Sequence, residues 1–314
     1  MTEEQLLERI KSGKLIEGPE YATERYVEGL KRTLVVSGDT ELISAPAYMR
    51  AAQDAPRINS YISVTGIVQD ELGHAHIAYR LLRDLGVDVE ALVYERDPKD
   101  FRHPYAFDVP LDCWAELVVA NAFYDRAGFT ILDDVFRNSS YGPWKRALVK
   151  VEREENFHLR HGEQWVATMS EVPDQKAELQ RAMDWMFIMT LEWFGLPDSM
   201  KRHGEQIEYG MKGSTNDQLR QTWMSTAVPL CEKHGLEVPA HYDSANDEWV
   251  VDCPFPAEFD EEEKRWLLDE GEIGWDQVLS RWKCRGPANE ELVDKVQRGY
   301  RQMVKILEAE QNGR

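Results

Sequence analysis

Cysteine is scarce in this chain: four in 314 residues, at Cys113, Cys231, Cys253 and Cys284, with no C-x-x-C pair among them. That spacing excludes a disulfide framework and leaves little for a zinc or redox-disulfide role, so free thiols in a cytoplasmic protein are expected. Long apolar runs are missing as well. No stretch is long enough to span a bilayer, and the opening MTEEQLLERIKSGKLIEGPE lacks the apolar core of a signal peptide, so a soluble protein with no membrane partner is expected. Positive charge is in deficit, with 37 Lys and Arg against 57 Asp and Glu for a formal net charge of -20. Such a balance argues against a nucleic-acid partner, because phosphate recognition rests on clustered Lys and Arg, and an anionic substrate would need a local basic patch. No flavin, nicotinamide or iron-sulfur fingerprint is visible, and no internal repeat. What remains is globular: 42% hydrophobic residues and 10% aromatics can fill a sizeable core in one large domain or two ordinary ones.

Apolar periodicity and helix punctuation divide the chain into rods. A short amphipathic helix over 2–12 ends at Ser12-Gly13, and a first long helix follows Gly18-Pro19. Ala45-Pro46 and Ala55-Pro56 suggest an end or kink before a second long helix that runs to about Asp84. The stretch 94–108, with Asp97-Pro98 and His103-Pro104, reads as a connector of the kind ferritin-like bundles place between their second and third helices. A third helix is expected over 111–136, and a fourth from Pro143, since proline is favoured just inside a helix start. A very apolar fifth helix over 177–194 is expected to pack on the bundle. Beyond Gly210 the chain turns polar and loop-rich, and Asp260-Glu261-Glu262-Glu263 reads as a solvated helix start. The expected architecture is all-α: a ferritin-like four-helix bundle over 1–200 with extra packing helices, and a helical and loop extension over 201–314 packed on it.

The chemistry is concentrated in two tetrapeptides, Glu71-Leu72-Gly73-His74 and Glu155-Asn156-Phe157-His158. Residues three apart on a helix point the same way, so each pair offers a carboxylate and an imidazole to one point. In a chain with eight His, roughly one Glu-x-x-His arises by accident, so the bare motif is weak. The surroundings add the weight. The stripe Val64, Ile67, Glu71, His74, Ala78, Leu81 is apolar or small except at the two candidate ligands, and Trp144, Leu148, Val151, Glu155, His158, Gly162, Trp165 repeats the pattern. A carboxylate amid a core-facing stripe is costly to desolvate unless something positive meets it.

Bundles that hold two iron or manganese ions use a Glu from each of two helices and a Glu-x-x-His from each of the other two. Glu41, at the end of the run Val27, Leu30, Leu34, is the first choice for one remaining acid. Asp125, alone in the stripe Trp114, Val118, Ala122, Phe129, Leu132, is the choice for the other, with Glu116, Asp133 and Asp134 on the same stretch. Four carboxylates offset two divalent ions with neutral imidazoles adding nothing, and the oxygen-rich donor set suits iron or manganese better than zinc, with a di-iron centre preferred. Asp70 and Glu154, each just before a motif Glu, are candidates to accept the imidazoles' other N–H groups. The remaining histidines, His76, His103, His161, His203, His234 and His241, read as surface or structural, with an outer role at the metals as the minority reading for His161.

At this point the residues resemble a known family. Val68-Gln69-Asp70-Glu71-Leu72-Gly73-His74, Ser140-Tyr141-Gly142-Pro143, KVEREENFH over 150–158, and Thr215-Asn216-Asp217-Gln218-Leu219-Arg220-Gln221 with Val228-Pro229 are similar to the catalytic A subunits of phenylacetyl-CoA 1,2-epoxidases. The likeness runs from about Arg32 through Gly274-Trp275 and Arg285-Gly286. It implies a di-iron centre held by Glu41, Glu71, His74, Asp125, Glu155 and His158, with the four carboxylates as the catalytic set. It also implies an aryl-acyl-CoA substrate with O2, a ferritin-like structural partner in an oligomer, and a separate reductase that brings NADPH. The chain departs from the family at Ile67, where a lysine is usual, and in an acidic insertion over 257–270. The competing readings are a ferroxidase or iron-storage protein and a non-catalytic scaffold subunit.

Overall fold

The computed structural model describes residues 1–201, 204–284 and 287–312. His203, Arg285 and Gly286, and the Cys284 side chain, lie outside the described residues. The described residues are all-α apart from two small hairpins. Helix α1 (Glu3–Lys11) begins with a capping box in which Thr2 and Gln5 satisfy each other's backbone N–H groups, and α2 (Glu24–Ala51) begins at the Thr23 cap. α3 (Ile58–Asp84) and the short α4 (Val89–Tyr94) follow, then a connector with two 3-10 turns. The third bundle rod is α5 (Trp114–Val119), a π-helical turn (Ala120–Tyr124) and α6 (Asp125–Asn138) in continuous succession. The fourth is α7 (Gly142–Ser170), with Pro143 in its first turn.

These four rods form the ferritin-like bundle. α2 packs along α3, α7 packs along the α5–π–α6 rod, and α3 meets α7 across the middle. The polar side chains of the candidate site therefore come from all four. α8 (Pro173–Trp193) buries Met183, Met186, Phe187 and Met189 against α5 and α7, as an apolar fifth helix should. The short α9 (Gly204–Glu208) precedes α10 (Asn216–His234), which lies on α6; α10 starts with a Thr215–Gln218 capping box and stops at Gly235, whose φ of 62° ends the helix in the left-handed region.

The rest of the chain wraps back over the bundle. β1 (Ala240–Asp243) pairs antiparallel with β2 (Glu248–Val251), and Gln221 clamps Trp249 by donating to its carbonyl and accepting from its N–H, both at 2.8 Å. β3 (Phe259–Asp260) pairs with β4 (Arg265–Trp266), where the Trp266 indole donates to the Trp185 carbonyl at 2.8 Å. α11 (Trp275–Cys284) and α12 (Pro287–Asn312) complete the fold, with Tyr300 stacked on Tyr94 at 4.2 Å between centroids. One apolar cluster runs from Ile43 on α2 to Phe259, Trp266 and Val293, so the extension shares the bundle's core.

Three expectations are corrected. Pro46 does not end α2, which continues to Ala51 with Ala45, Ala47, Tyr48 and Ala51 buried; the break falls at Ala55-Pro56. Packing of that last stretch outweighs the one hydrogen bond the proline cannot donate. Asp260-Glu261-Glu262-Glu263 starts no helix: it opens the turn between β3 and β4, and Tyr105 donates a hydrogen bond to Glu261. The stretch after Gly210 is less loop-like than its composition suggests, because α10 carries Pro229 in its interior.

Candidate metal centre

Glu41, Glu71, His74, Asp125, Glu155 and His158 are all buried, and the bundle brings them to one place. Glu41 comes from α2, Glu71 and His74 from α3, Asp125 from the first turn of α6, and Glu155 and His158 from α7. Two triads, Glu41–His74–Glu155 and Glu71–Glu155–His158, each set their ligand atoms within 4.8 Å of one another, and Glu155 belongs to both. The imidazoles lie side by side, 6.2 Å between centroids.

The atomic spacing suits cations. His74 Nδ1 is 3.5 Å from Glu41 Oε2 and 3.2 Å from Glu155 Oε1, while His158 Nδ1 is 3.2 Å from Glu71 Oε1 and 3.6 Å from Glu155 Oε2. Neither buried Nδ1 makes a hydrogen bond with any described residue. Atoms bound about 2.1 Å from a common metal at right angles stand about 3 Å apart, so nitrogen and oxygen held at this separation without a hydrogen bond fit co-ligands. Two such imidazoles and four carboxylates match the donor set that iron takes in bundles of this type.

The opposite edge of each ring is committed. His74 Nε2 meets Glu154 Oε2 at 3.0 Å, and His158 Nε2 lies 3.4 Å from Asp70 Oδ2. The exchange is crosswise: the acid beside each motif Glu serves the histidine of the other motif. A carboxylate facing Nε2 holds the proton there and leaves the Nδ1 lone pair for a metal, and Lys150, 2.7 Å from Glu154, fixes that acid in turn.

Electrostatics shows how strongly the cluster calls for positive charge. Burial, then the nearby Glu71 carboxylate, drives the Glu41 and Asp125 carboxyls well above their usual range. Glu155 goes the other way: burial opposes its ionisation, but His158 and His74 pull it down to about 2. Burial would lower His74, yet Glu155 and Glu41 raise it to about 11. Protons on the imidazoles and outer carboxyls thus do the neutralising that two divalent cations would do better.

All four carboxylates line one narrow cavity, whose remaining walls include Tyr48, Phe107, Tyr124, Leu132 and Trp193. Phe107 and Trp193 meet edge to face at 5.0 Å, Phe107 and Tyr124 at 5.9 Å, and Tyr48 and Phe107 at 5.8 Å. Tyr48 donates a hydrogen bond to Asp125 Oδ1, Asn121 Nδ2 donates to Asp125 Oδ2 at 2.9 Å, and Ser44 Oγ donates to Glu71 Oε2 at 2.6 Å.

The competing acids are otherwise engaged. Glu116 binds Lys264 at 2.8 Å, Asp133 binds Arg137 at 2.8 Å, and Asp134 accepts from Ser214 Oγ at 2.8 Å. His103 is buried against Asp108 and has the structural role expected of it; His76 is exposed, and His241 pairs with Asp252 on the surface. His161 is buried, with Nδ1 3.1 Å from Asn121 Oδ1. Ile67 is fully buried one turn before Glu71. Sequence reasoning missed Ser44, Tyr48 and Asn121, although Tyr48 follows Glu41 by seven residues and Asn121 precedes Asp125 by four, both helical same-face spacings. Phe107 and Trp193 gave no local signal, because only tertiary folding brings the connector and α8 to the site.

Residues 1–256 match the family model described as phenylacetic acid catabolic protein. The chain is also similar to the A subunit of the 1,2-phenylacetyl-CoA epoxidase of Escherichia coli (strain K12), with 27% identity over 316 residues that cover 98% of this chain and 96% of the relative.

Proposed function

Because the chain belongs to the phenylacetic acid catabolic protein family, we propose that it is the catalytic subunit of a di-iron monooxygenase that epoxidises the ring of an aryl-acyl-CoA, phenylacetyl-CoA first among them. The observation that carries this reading is the cluster: four buried carboxylates and two buried imidazoles drawn together from four helices, with aromatic side chains lining the same small cavity. Glu41, Glu71, His74, Asp125, Glu155 and His158 would hold the two irons. When bound, the irons supply the redox chemistry that reduces dioxygen, one atom entering the ring as the epoxide and the other leaving as water, with two electrons and two protons consumed.

The chain's own residues do the rest. Phe107, Tyr124 and Trp193 put aromatic surface beside the carboxylates, Phe107 meeting each of the other two edge to face; the cavity of about 30 Å³ is smaller than a phenyl ring, so an aryl group reaches the site only as these rings turn aside. Leu132 and the close packing of the bundle keep bulk water from the carboxylates. Glu154 and Asp70 hold the Nε2 protons that keep both imidazoles in the metal-binding tautomer. The two electrons come from NADPH through a separate reductase, since no redox cofactor fingerprint lies in this chain, and the complex also contains a ferritin-like structural subunit.

The test is turnover by the protein reconstituted with iron, NADPH, reductase and the structural partner. Phenylacetyl-CoA should gain one oxygen atom, labelled when 18O2 is supplied, and benzoyl-CoA in parallel reports the acyl preference. Mineralised iron in a protein shell, or full activity in a complex whose copy of this chain carries Glu71→Ala, would assign storage or scaffolding instead.

A further inference from the structure

Asp125 stands apart from the other candidate ligands. It belongs to neither tight triad, its side chain is a methylene shorter than glutamate, and it sits where the π-helical turn hands over to α6. A short carboxylate cannot swing far to find a metal, so its orientation has to be set by its neighbours. Tyr48 donates to Oδ1 and Asn121 Nδ2 donates to Oδ2 at 2.9 Å.

The Asn121 contact can run in one direction only. Asn121 Nδ2 faces Oδ2, and a carboxylate bound to a metal is ionised and only accepts, so in the loaded centre the amide keeps its NH2 toward Asp125 and its carbonyl away. That carbonyl meets His161 Nδ1 at 3.1 Å, which requires the Nδ1 proton to point at it. The buried Nε2 of His161 has no hydrogen-bond partner among the described residues, which suits a neutral ring whose one proton sits on Nδ1. The contact lies where α7 and the π turn are closest. A Cβ on Gly162 would stand 2.4 Å from the Ala122 nitrogen, so the two backbones touch at this level and His161 has little freedom to move away.

We propose that His161 and Asn121 are positioning residues, a hydrogen-bonded strut from α7 through the π turn that holds the Asp125 carboxylate where it completes the metal centre. This rests on the di-iron reading, and π turns placed beside functional groups are a recurring use of that geometry. The strut acts on iron affinity, and its removal should weaken binding by about 10–100-fold, as loss of a hydrogen-bond partner behind a metal ligand does.

Anaerobic titration of the full-length apoprotein with ferrous iron tests it, read as iron bound per chain and as the rise in Tm on iron addition. Asn121→Leu and His161→Leu should bind the iron nearest Asp125 about 10–100-fold more weakly and lose part of the iron-induced rise in Tm, while His161→Gln, whose amide N–H can replace Nδ1–H, should recover most of both. Asn121→Asp keeps the side-chain shape while removing the donor, and should weaken binding even if Asn121→Leu misfolds. Wild-type affinity in Asn121→Asp and His161→Leu overturns the proposal, as does a His161→Gln variant no better than His161→Leu, since packing alone would then explain the residue. A purely structural role would lower the Tm of the apoprotein and leave the gain from iron intact. Wild-type protein that takes up no iron would instead bring down the di-iron reading beneath it.

Discussion

At the residue scale, five of the six candidate ligands were legible because they interrupt an apolar stripe, and Glu41 because it ends an apolar run; a buried carboxylate or imidazole has to be met by something. Replacing Glu71 or His158 by alanine should remove about one iron per chain and leave the helical circular dichroism unchanged, because only the metal shell loses a partner. An unchanged iron content would refute the assignment. The outer residues were half legible: Asp70 and Glu154 follow from the rule that a metal-bound imidazole needs an acceptor, but their crosswise exchange between α3 and α7 depends on how two helices face each other. His161 gives a pH prediction. Its folded pKa of about 4 lies below the ordinary 6.5, so the unfolded chain takes up the proton first as pH falls. The stability it contributes is complete above about pH 6.5 and is lost between there and about pH 4. Denaturant midpoints at pH 7 and pH 5 should therefore differ less in His161→Gln than in wild type; an equal difference would mean that His161 does not titrate as described.

At the scale of elements, helix positions followed from apolar periodicity and from proline and glycine punctuation, and the fourth helix start at Pro143 was readable from the residue alone. The π turn was not. Nothing in Ala120–Tyr124 marks it; it lies against Gly162 of α7, where the Ala122 backbone fills the place of a side chain. Gly162→Ala should accordingly cost about 1–3 kcal/mol through overpacking, seen as a lower Tm of the apoprotein, whereas Gly66→Ala on α3, with open space around it, should not lower Tm. Equal Tm values for the two variants would show that the close approach carries no strain. The Thr215–Gln221 stretch, which gave much of the family resemblance, turns out to hold structure near the site. Arg220 donates to the Leu191 carbonyl at 3.0 Å and the Gly195 carbonyl at 2.7 Å, closing the end of α8 beside Trp193 in the aromatic wall. Hairpins β1–β2 and β3–β4 escaped the sequence because their strands are short, and the acidic turn of the second imitates a helix start.

At the scale of the molecule, all-α class and bundle topology were legible from the order of rods and the crossover connector, while the route of the chain beyond α10 was not. That route is set by buried polar anchors rather than by periodicity: Arg281 on α11 pairs with Glu192 on α8, and Lys264 reaches Glu116 on α5 at 2.8 Å. Glu192 is almost wholly buried, so Arg281→Ala would strand its charge and should cost about 3–5 kcal/mol, read as earlier denaturant unfolding and faster proteolysis after β4; the double replacement Arg281→Met with Glu192→Leu should recover most of the loss. Equal stability of Arg281→Ala and wild type would remove the pair as an anchor. No helix among the described residues is long and apolar enough to cross a membrane. The central claim, that four helices converge their carboxylates and imidazoles on a pair of irons, is tested most directly by metal analysis of the protein loaded anaerobically with ferrous iron and then desalted. About two irons per chain in wild type, falling to about one in Glu71→Ala, is the predicted result; wild-type protein that retains no iron, or an alanine variant that retains as much, would contradict it.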